Sequence, residues 1–114
     1  MRLIELAERC GARIIVNNDR ADAEVANVHA GDNVSDLLAE STAATLLVTN
    51  LRNPLLLRVA ELMDAPGICL VDGHVPAPEL TAAAQRQGTV IMVSPWSLFE
   101  TCGRMYGGRG PSEE

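Results

Sequence analysis

The stretch from Thr45 to Val93 reads TLLVTNLRNPLLLRVAELMDAPGICLVDGHVPAPELTAAAQRQGTVIMV. Three short β-type runs in it, Thr45–Thr49, Ile68–Val71 and Thr89–Val93, carry no charged side chain. Strands buried on both faces of a sheet read this way. Two helical segments lie between them. Asn53-Pro54 opens the first, with proline in the first turn where its missing N–H costs little, and the segment continues to Met63. The second runs from Pro78 to Gln87 and is stopped by Gly88. Strict alternation of strand and helix builds right-handed crossovers onto a parallel sheet.

Working outward, residues 2–10 read as a helix, with Leu3, Ile4, Ala7 and Cys10 at helical spacing and Gly11 as its stop. Ala12–Val16 reads as a short strand, Asn17–Arg20 as a turn and Glu24–His29 as a second strand. Gly31-Asp32-Asn33 is a break, and Asp32 or Asn33 caps a helix over Val34–Glu40. Beyond Val93, Ser94-Pro95 starts a last helix that reaches Tyr106. The predicted order is α-β-β-α-β-α-β-α-β-α. The fold class is α/β, a mainly parallel five-stranded sheet flanked by helices. Residues 1–107 form a single domain, and 108–114, rich in glycine, form a disordered tail.

Composition narrows the function. A chain of 114 residues, 47% hydrophobic, makes one domain with a real core. Its only aromatic residues are Trp96, Phe99 and Tyr106, so that core is aliphatic. The net charge is −6, and the nine arginines are scattered with no basic run. Nucleic acids and anionic membrane surfaces both require a clustered positive face, which excludes them as partners. There is no lysine, hence no Schiff-base lysine and no P-loop lysine. Cys10, Cys69 and Cys102 are far apart and odd in number, which fits reduced thiols and not a disulfide framework or a structural zinc. The N-terminus has charge inside its apolar stretch and is no signal peptide, and no apolar run approaches a membrane span. The expected location is the cytoplasm.

The segment after Pro54 is more apolar than one buried face requires. Leu55, Leu56, Leu57, Val59, Ala60, Leu62 and Met63 cover roughly 220° of its circumference at about 100° per residue. One reading sends part of this surface to a second subunit, with Leu55, Leu56, Val59, Leu62 and Met63 as the dimer contact. The other buries the whole helix deep in the monomer.

Several segments then resemble a known family. Asn33-Val34-Ser35-Asp36-Leu37-Leu38, Thr49-Asn50-Leu51-Arg52-Asn53-Pro54, Val71-Asp72-Gly73-His74 and the run Ser97–Tyr106 fall, in order and spacing, where the DRTGG-domain family has its recurring features. The similarity covers about residues 1–107 and is strongest to stand-alone members found beside hydrogenase and redox genes. The family is named for an Asp-Arg pair and a Thr-Gly-Gly triplet. Here Leu51-Arg52 and Val71-Asp72-Gly73 stand in their places, so the arginine and the last glycine remain. The resemblance implies a fold like the N-terminal domain of HPr kinase/phosphorylase and the phosphotransacetylase middle domain. It also implies dimerisation and a regulatory role beside nucleotide-sensing CBS domains. It carries no catalytic residues.

In open α/β sheets ligands sit beyond the carboxyl ends of the parallel strands. Those ends supply Thr49, Asn50 and Arg52, then Asp72, Gly73 and His74, and finally Ser94. One reading makes the first six a ligand site: Arg52 holds an anion, Gly73 admits close backbone approach, and Asp72 and His74 bond a sugar hydroxyl or base edge. The other makes them turn and cap residues, with Asn53 or Asn50 capping a helix and Asp72-Gly73 forming a turn. His29 and His74 lack the spacing of a metal site, and no nucleophile motif occurs. The expected function is a non-catalytic, homodimeric regulatory or assembly module, without cofactor, that binds a small anionic ligand such as a nucleotide. The alternative is an interaction partner of a redox or hydrogenase complex with no small ligand. An enzyme using Arg52, Asp72 and His74 on a phosphorylated substrate is the third reading, and it requires those side chains to converge.

Overall fold

The structure, a computed structural model, describes residues 1–40 and 44–107, with residues 38–40 described as backbone only. The expected tail at 108–114 lies outside the described residues. Five strands and five helices follow one another as α1 (Leu3–Cys10), β1 (Arg13–Val16), β2 (Asn27–Ala30), α2 (Val34–Glu40), β3 (Thr45–Thr49), α3 (Leu55–Met63), β4 (Gly67–Leu70), α4 (Pro78–Gln87), β5 (Val90–Val93) and α5 (Leu98–Gly107). The strand order across the sheet is β1-β5-β4-β3-β2.

The sheet is mixed, which corrects the expectation of a mainly parallel one. β2, β3, β4 and β5 pair in parallel, but β1 runs antiparallel to β5, with Arg13 opposite Val93 and a bulge between Ile14 and Val16. At the end of α1, Gly11 takes a left-handed conformation (φ 70°), and its N–H donates to the Ala7 and Glu8 carbonyls. A single further residue, Ala12, then leads into β1. β1 is the first strand of the chain and no helix joins it to β2, so no crossover fixes it parallel to the rest, and it pairs at the sheet edge against the direction of the others.

Side chains alternate between two apolar layers. Leu47, Ile68, Leu70, Ile91 and Val93 face α2, α3 and α4, while Leu46, Val48, Cys69, Val90 and Met92 face α1 and α5. The result is helices on both faces of the sheet, the architecture that β3–β5 require because every residue in them is buried.

Two element boundaries shift for identifiable reasons, and a third stands as expected. β2 begins at Asn27, because Glu24 forms an isolated bridge with Arg2 and the Val25 N–H donates to the Met1 carbonyl at 2.7 Å. α5 begins at Leu98 and not at Ser94-Pro95: the Ser97 hydroxyl accepts the Glu100 N–H and caps the helix, while Ser94 is buried with its Oγ 2.7 Å from Thr101 Oγ1. α2 is capped by Asn33, whose Oδ1 accepts the Asp36 N–H at 2.8 Å.

The expected dimer face on α3 divides. Leu56 and Val59 turn into the monomer core with Leu57 and Ala60, so they are not available to a second subunit. Met63 is partly buried against the same core. Only Leu55 and Leu62 stand out, 52% and 62% exposed.

Candidate functional site

At the carboxyl ends of β3 and β4, α3 and α4 diverge and leave a cleft of about 700 Å³. Its floor is Thr49, Leu70 and Val71; its walls are Leu57 from α3 and Leu80, Ala83 and Gln87 from α4. The lip comes from two loops, one carrying Asn50, Leu51, Arg52 and Pro54, the other His74, Val75, Pro76 and Ala77. The location follows from topology: in a parallel sheet with helical crossovers, strands end and helices begin on one side.

The walls are apolar and the polar groups sit at the lip. Such a lining suits a ligand with an apolar body and a polar end. Arg52 Nη2 reaches the ring nitrogens of His74, 2.6 Å from Nε2. α4 opens on the cleft through Ala77 with no side-chain cap, and α3 begins there too. The positive ends of two helix dipoles therefore lie beside Arg52. Glu79 opposes them from the first turn of α4. The Asn50 side chain is exposed at the lip, whereas Thr49 is buried with its Oγ1 accepting the Leu51 N–H at 3.1 Å.

Of the six expected ligand residues, Thr49, Asn50, Arg52 and His74 line the cleft. Asp72 and Gly73 do not. Both take left-handed conformations (φ 62° and 67°) in a tight turn closed by the His74 N–H on the Val71 carbonyl. Their own N–H groups donate to the Trp96 and Ser94 carbonyls, at 2.7 and 2.8 Å, and pin this turn to the segment after β5. Asn53 is likewise a cap residue, its Oδ1 accepting the Leu55 N–H. Asp72 is not among the residues that line the cleft, and among the described residues no hydrogen bond or ion pair joins its carboxylate to Arg52 or His74, which contact each other.

The apolar half of the cleft, Leu57, Leu70, Val75, Leu80 and Ala83, was not expected from sequence. Leucines at helical spacing read as core, which Leu57 and Leu80 also are. The available signal was the run Ala82-Ala83-Ala84, small side chains that leave room beside a neighbouring helix.

The remaining chemistry-bearing groups lie elsewhere. His29 sits on β2 with its Nε2 buried and unpartnered among the described residues. Cys10 and Cys69 are buried side by side in the α1/α5 layer. A hydrogen bond from Cys69 draws the Cys10 thiol down to about 7, while the same bond and burial push the Cys69 thiol far up. Burial, then the nearby Cys10, raises the half-buried Cys102. Among the described residues no three His, Cys, Asp or Glu side chains are placed to hold a metal ion, and no helix is long and apolar enough to cross a membrane.

With this geometry in hand, comparison with solved structures returns the CBS and DRTGG domains of the regulatory region of Clostridium perfringens pyrophosphatase, complexed with its activator diadenosine tetraphosphate. The superposition has a TM-score of 0.74 at 12% identity and covers 94% of this chain and 46% of that one. The chain has a DRTGG-like fold. At this identity the likeness speaks for the fold alone, and the chain spans about half the length of that regulatory region. No protein-family model matches the chain, and no curated protein matches it.

Proposed function

We propose that residues 1–107 form one regulatory domain, of the kind seen at the N-terminus of HPr kinase/phosphorylase, that binds a small amphipathic anion in the cleft between α3 and α4. The observation that carries this reading is the pairing of an apolar cleft of about 700 Å³ with a single arginine and two helix N-termini at its lip. A nucleotide meets that description, with its base against Leu57, Leu80 and Val75 and a phosphate on Arg52. The DRTGG-like fold supports the regulatory sense, since its structural neighbour is a regulatory region solved with a nucleotide activator. Homodimerisation and a cytoplasmic setting complete the reading.

A ligand that binds only the folded state raises its stability, by about 2.7 kcal/mol at one hundred times its dissociation constant. Thermal melts with a panel of adenine nucleotides and dinucleotides, repeated on Arg52→Ala, test the proposal. The expected result is a concentration-dependent rise in Tm for the natural chain and a smaller one for the variant. No shift with any of them at millimolar concentration overturns it. The reading as a redox or hydrogenase partner without a small ligand gives the cleft no role and predicts that flat outcome.

A further inference from the structure

The three aromatic residues of this chain are all on its surface. Phe99 is 88% and Tyr106 90% exposed, and Trp96 is 38% exposed at the start of the same segment. A folded chain with only three aromatic side chains ordinarily uses them inside, because they bury the most apolar area per residue. At about 100° per residue, Phe99, Gly103 and Tyr106 fall within roughly 60° of one another on α5. Thr101 and Met105, on the opposite side, are buried against the sheet. The stripe therefore points directly out of the monomer.

Gly103 sits at its centre and serves nothing within the monomer. Its backbone is not left-handed, and a Cβ built on it meets no atom within 4 Å. Glycine in a helix interior weakens the helix relative to alanine. A glycine there is explained by close approach of something from outside.

We infer that the Phe99–Gly103–Tyr106 face of α5 is the contact between two copies of this chain, packed antiparallel about a two-fold axis at Gly103. The sequence of the face is self-complementary about that point. An axis between Cys102 and Gly103 sets Phe99 against the partner's Tyr106 and brings the glycines together at the crossing. It also places Glu100 beside the partner's Arg104, on one shared flank. Within each copy Arg104 bonds Glu100 at 2.9 Å and lies 3.9 Å over the Trp96 ring, so the flank is already ordered. Opposite charges thus meet across the axis.

The α3 face offers less. Leu55 and Leu62 flank the exposed Arg58, and a two-fold axis between them brings the two Arg58 side chains together with the exposed Glu61 on the same flank, while two leucines offer less apolar area than Phe99 and Tyr106. Area points the same way. Burying four rings removes about 600–1,000 Å², and Trp96 and the charged flank bring this near the lower end of a specific interface, about 1,200 Å². The residues that follow α5, Gly108–Glu114, contain no apolar side chain except Pro111, so their sequence offers nothing to fill the stripe.

The inference concerns only the dimer half of the proposed function, and light scattering without ligand tests it independently of the cleft. The full chain, Phe99→Glu, Tyr106→Glu and Leu62→Glu are compared at high micromolar concentration, with far-UV circular dichroism confirming the fold of each. The expected result is a dimer for the natural chain and for Leu62→Glu, and a folded monomer for both α5 variants. A monomeric natural chain overturns the inference. So does a dimer that survives both α5 substitutions, and a dimer lost in Leu62→Glu moves the contact to α3.

Discussion

Arg52 Nη2 lies 2.6 Å from Nε2 of His74, joining the loop after β3 to the loop after β4 over the mouth of the cleft. The two residues are 22 positions apart in sequence and meet only because β3 and β4 are neighbours in the sheet. The imidazole holds the guanidinium in place and also occupies one of its donors. An incoming anion has to compete with His74 for Arg52. The variants His74→Ala and Arg52→Ala therefore act in opposite directions on ligand binding. Removing the ring frees the guanidinium and tightens binding of an anionic ligand. Removing the guanidinium deletes a charge-assisted hydrogen bond worth about 1.5–3 kcal/mol and weakens binding roughly tenfold or more. Both residues are exposed, so each substitution shifts stability by no more than about 0.5 kcal/mol. Calorimetric titration with the best nucleotide from the panel, together with urea melts, reads both quantities. Equal weakening by the two variants would mean that the pair binds as a unit.

The cleft itself is tested by filling it. Ala83 lines it from α4 and is only partly buried, so a larger side chain has open space to enter. In Ala83→Phe the ring occupies the volume beside Leu57 and Leu80. Overpacking of a closed core costs about 1–3 kcal/mol; here the ring enters an existing void and the cost falls below that range. The expected outcome is a folded protein with an unchanged far-UV spectrum and no ligand-induced rise in Tm. A ligand shift equal to that of the natural chain would place the binding site elsewhere.

The contrast between these residues also shows what a sequence discloses. β3, β4 and β5 were legible because strands buried on both faces carry an unbroken apolar signal, and α4 because Pro78 and Gly88 bracket it. The direction of β1 was not, since four residues paired at an edge read alike in either sense. The start of α5 was misplaced because Ser94-Pro95 and Ser97 are equally good local caps, and only the burial of Ser94 against Thr101 decides between them. In the site, the polar lip was visible as strand-end residues. Asp72 and Gly73 were included by the same rule, yet they are consumed by hydrogen bonds to Trp96 and Ser94 that no local pattern announces. On α3, apolar content alone could not separate Leu56 and Val59, which are core, from Leu55 and Leu62, which are not.

Thiol chemistry follows access before it follows acidity. Cys10 has a thiol drawn down to about 7 by its bond from Cys69, but its side chain is fully buried. Cys69 is fully buried too, and its thiol is pushed up. Cys102 is half-buried on α5, with a thiol raised by burial. A thiolate that cannot be reached does not react. Because Cys102 lies at the proposed dimer axis, the test uses the folded monomeric Phe99→Glu variant: mass spectrometry after brief maleimide treatment at neutral pH should find Cys102 modified slowly and Cys10 and Cys69 untouched. All three react in urea. Rapid labelling of Cys10 in the folded protein would show that the layer between α1 and the sheet opens.

Gly103 separates the stability of the monomer from that of the dimer. In a Phe99→Glu background, where the copies are apart, Gly103→Ala adds a methyl group that meets open space and removes the backbone freedom of a mid-helix glycine. Stability to urea should rise by about 0.5–1 kcal/mol. In the natural chain the same methyl group, present on both copies at the two-fold axis, stands where the helices cross. Forcing it into a packed contact costs about 1–3 kcal/mol, enough to raise the dissociation constant of the dimer about tenfold. One substitution thus strengthens the fold and weakens the assembly, a pair of opposite signs that a purely internal role for Gly103 does not produce. Urea melts of the monomeric background and sedimentation equilibrium of the natural chain measure the two separately. A dimer as tight with alanine as with glycine would move the axis away from residue 103, and a loss of stability in the monomeric background would show that the glycine is needed within the fold.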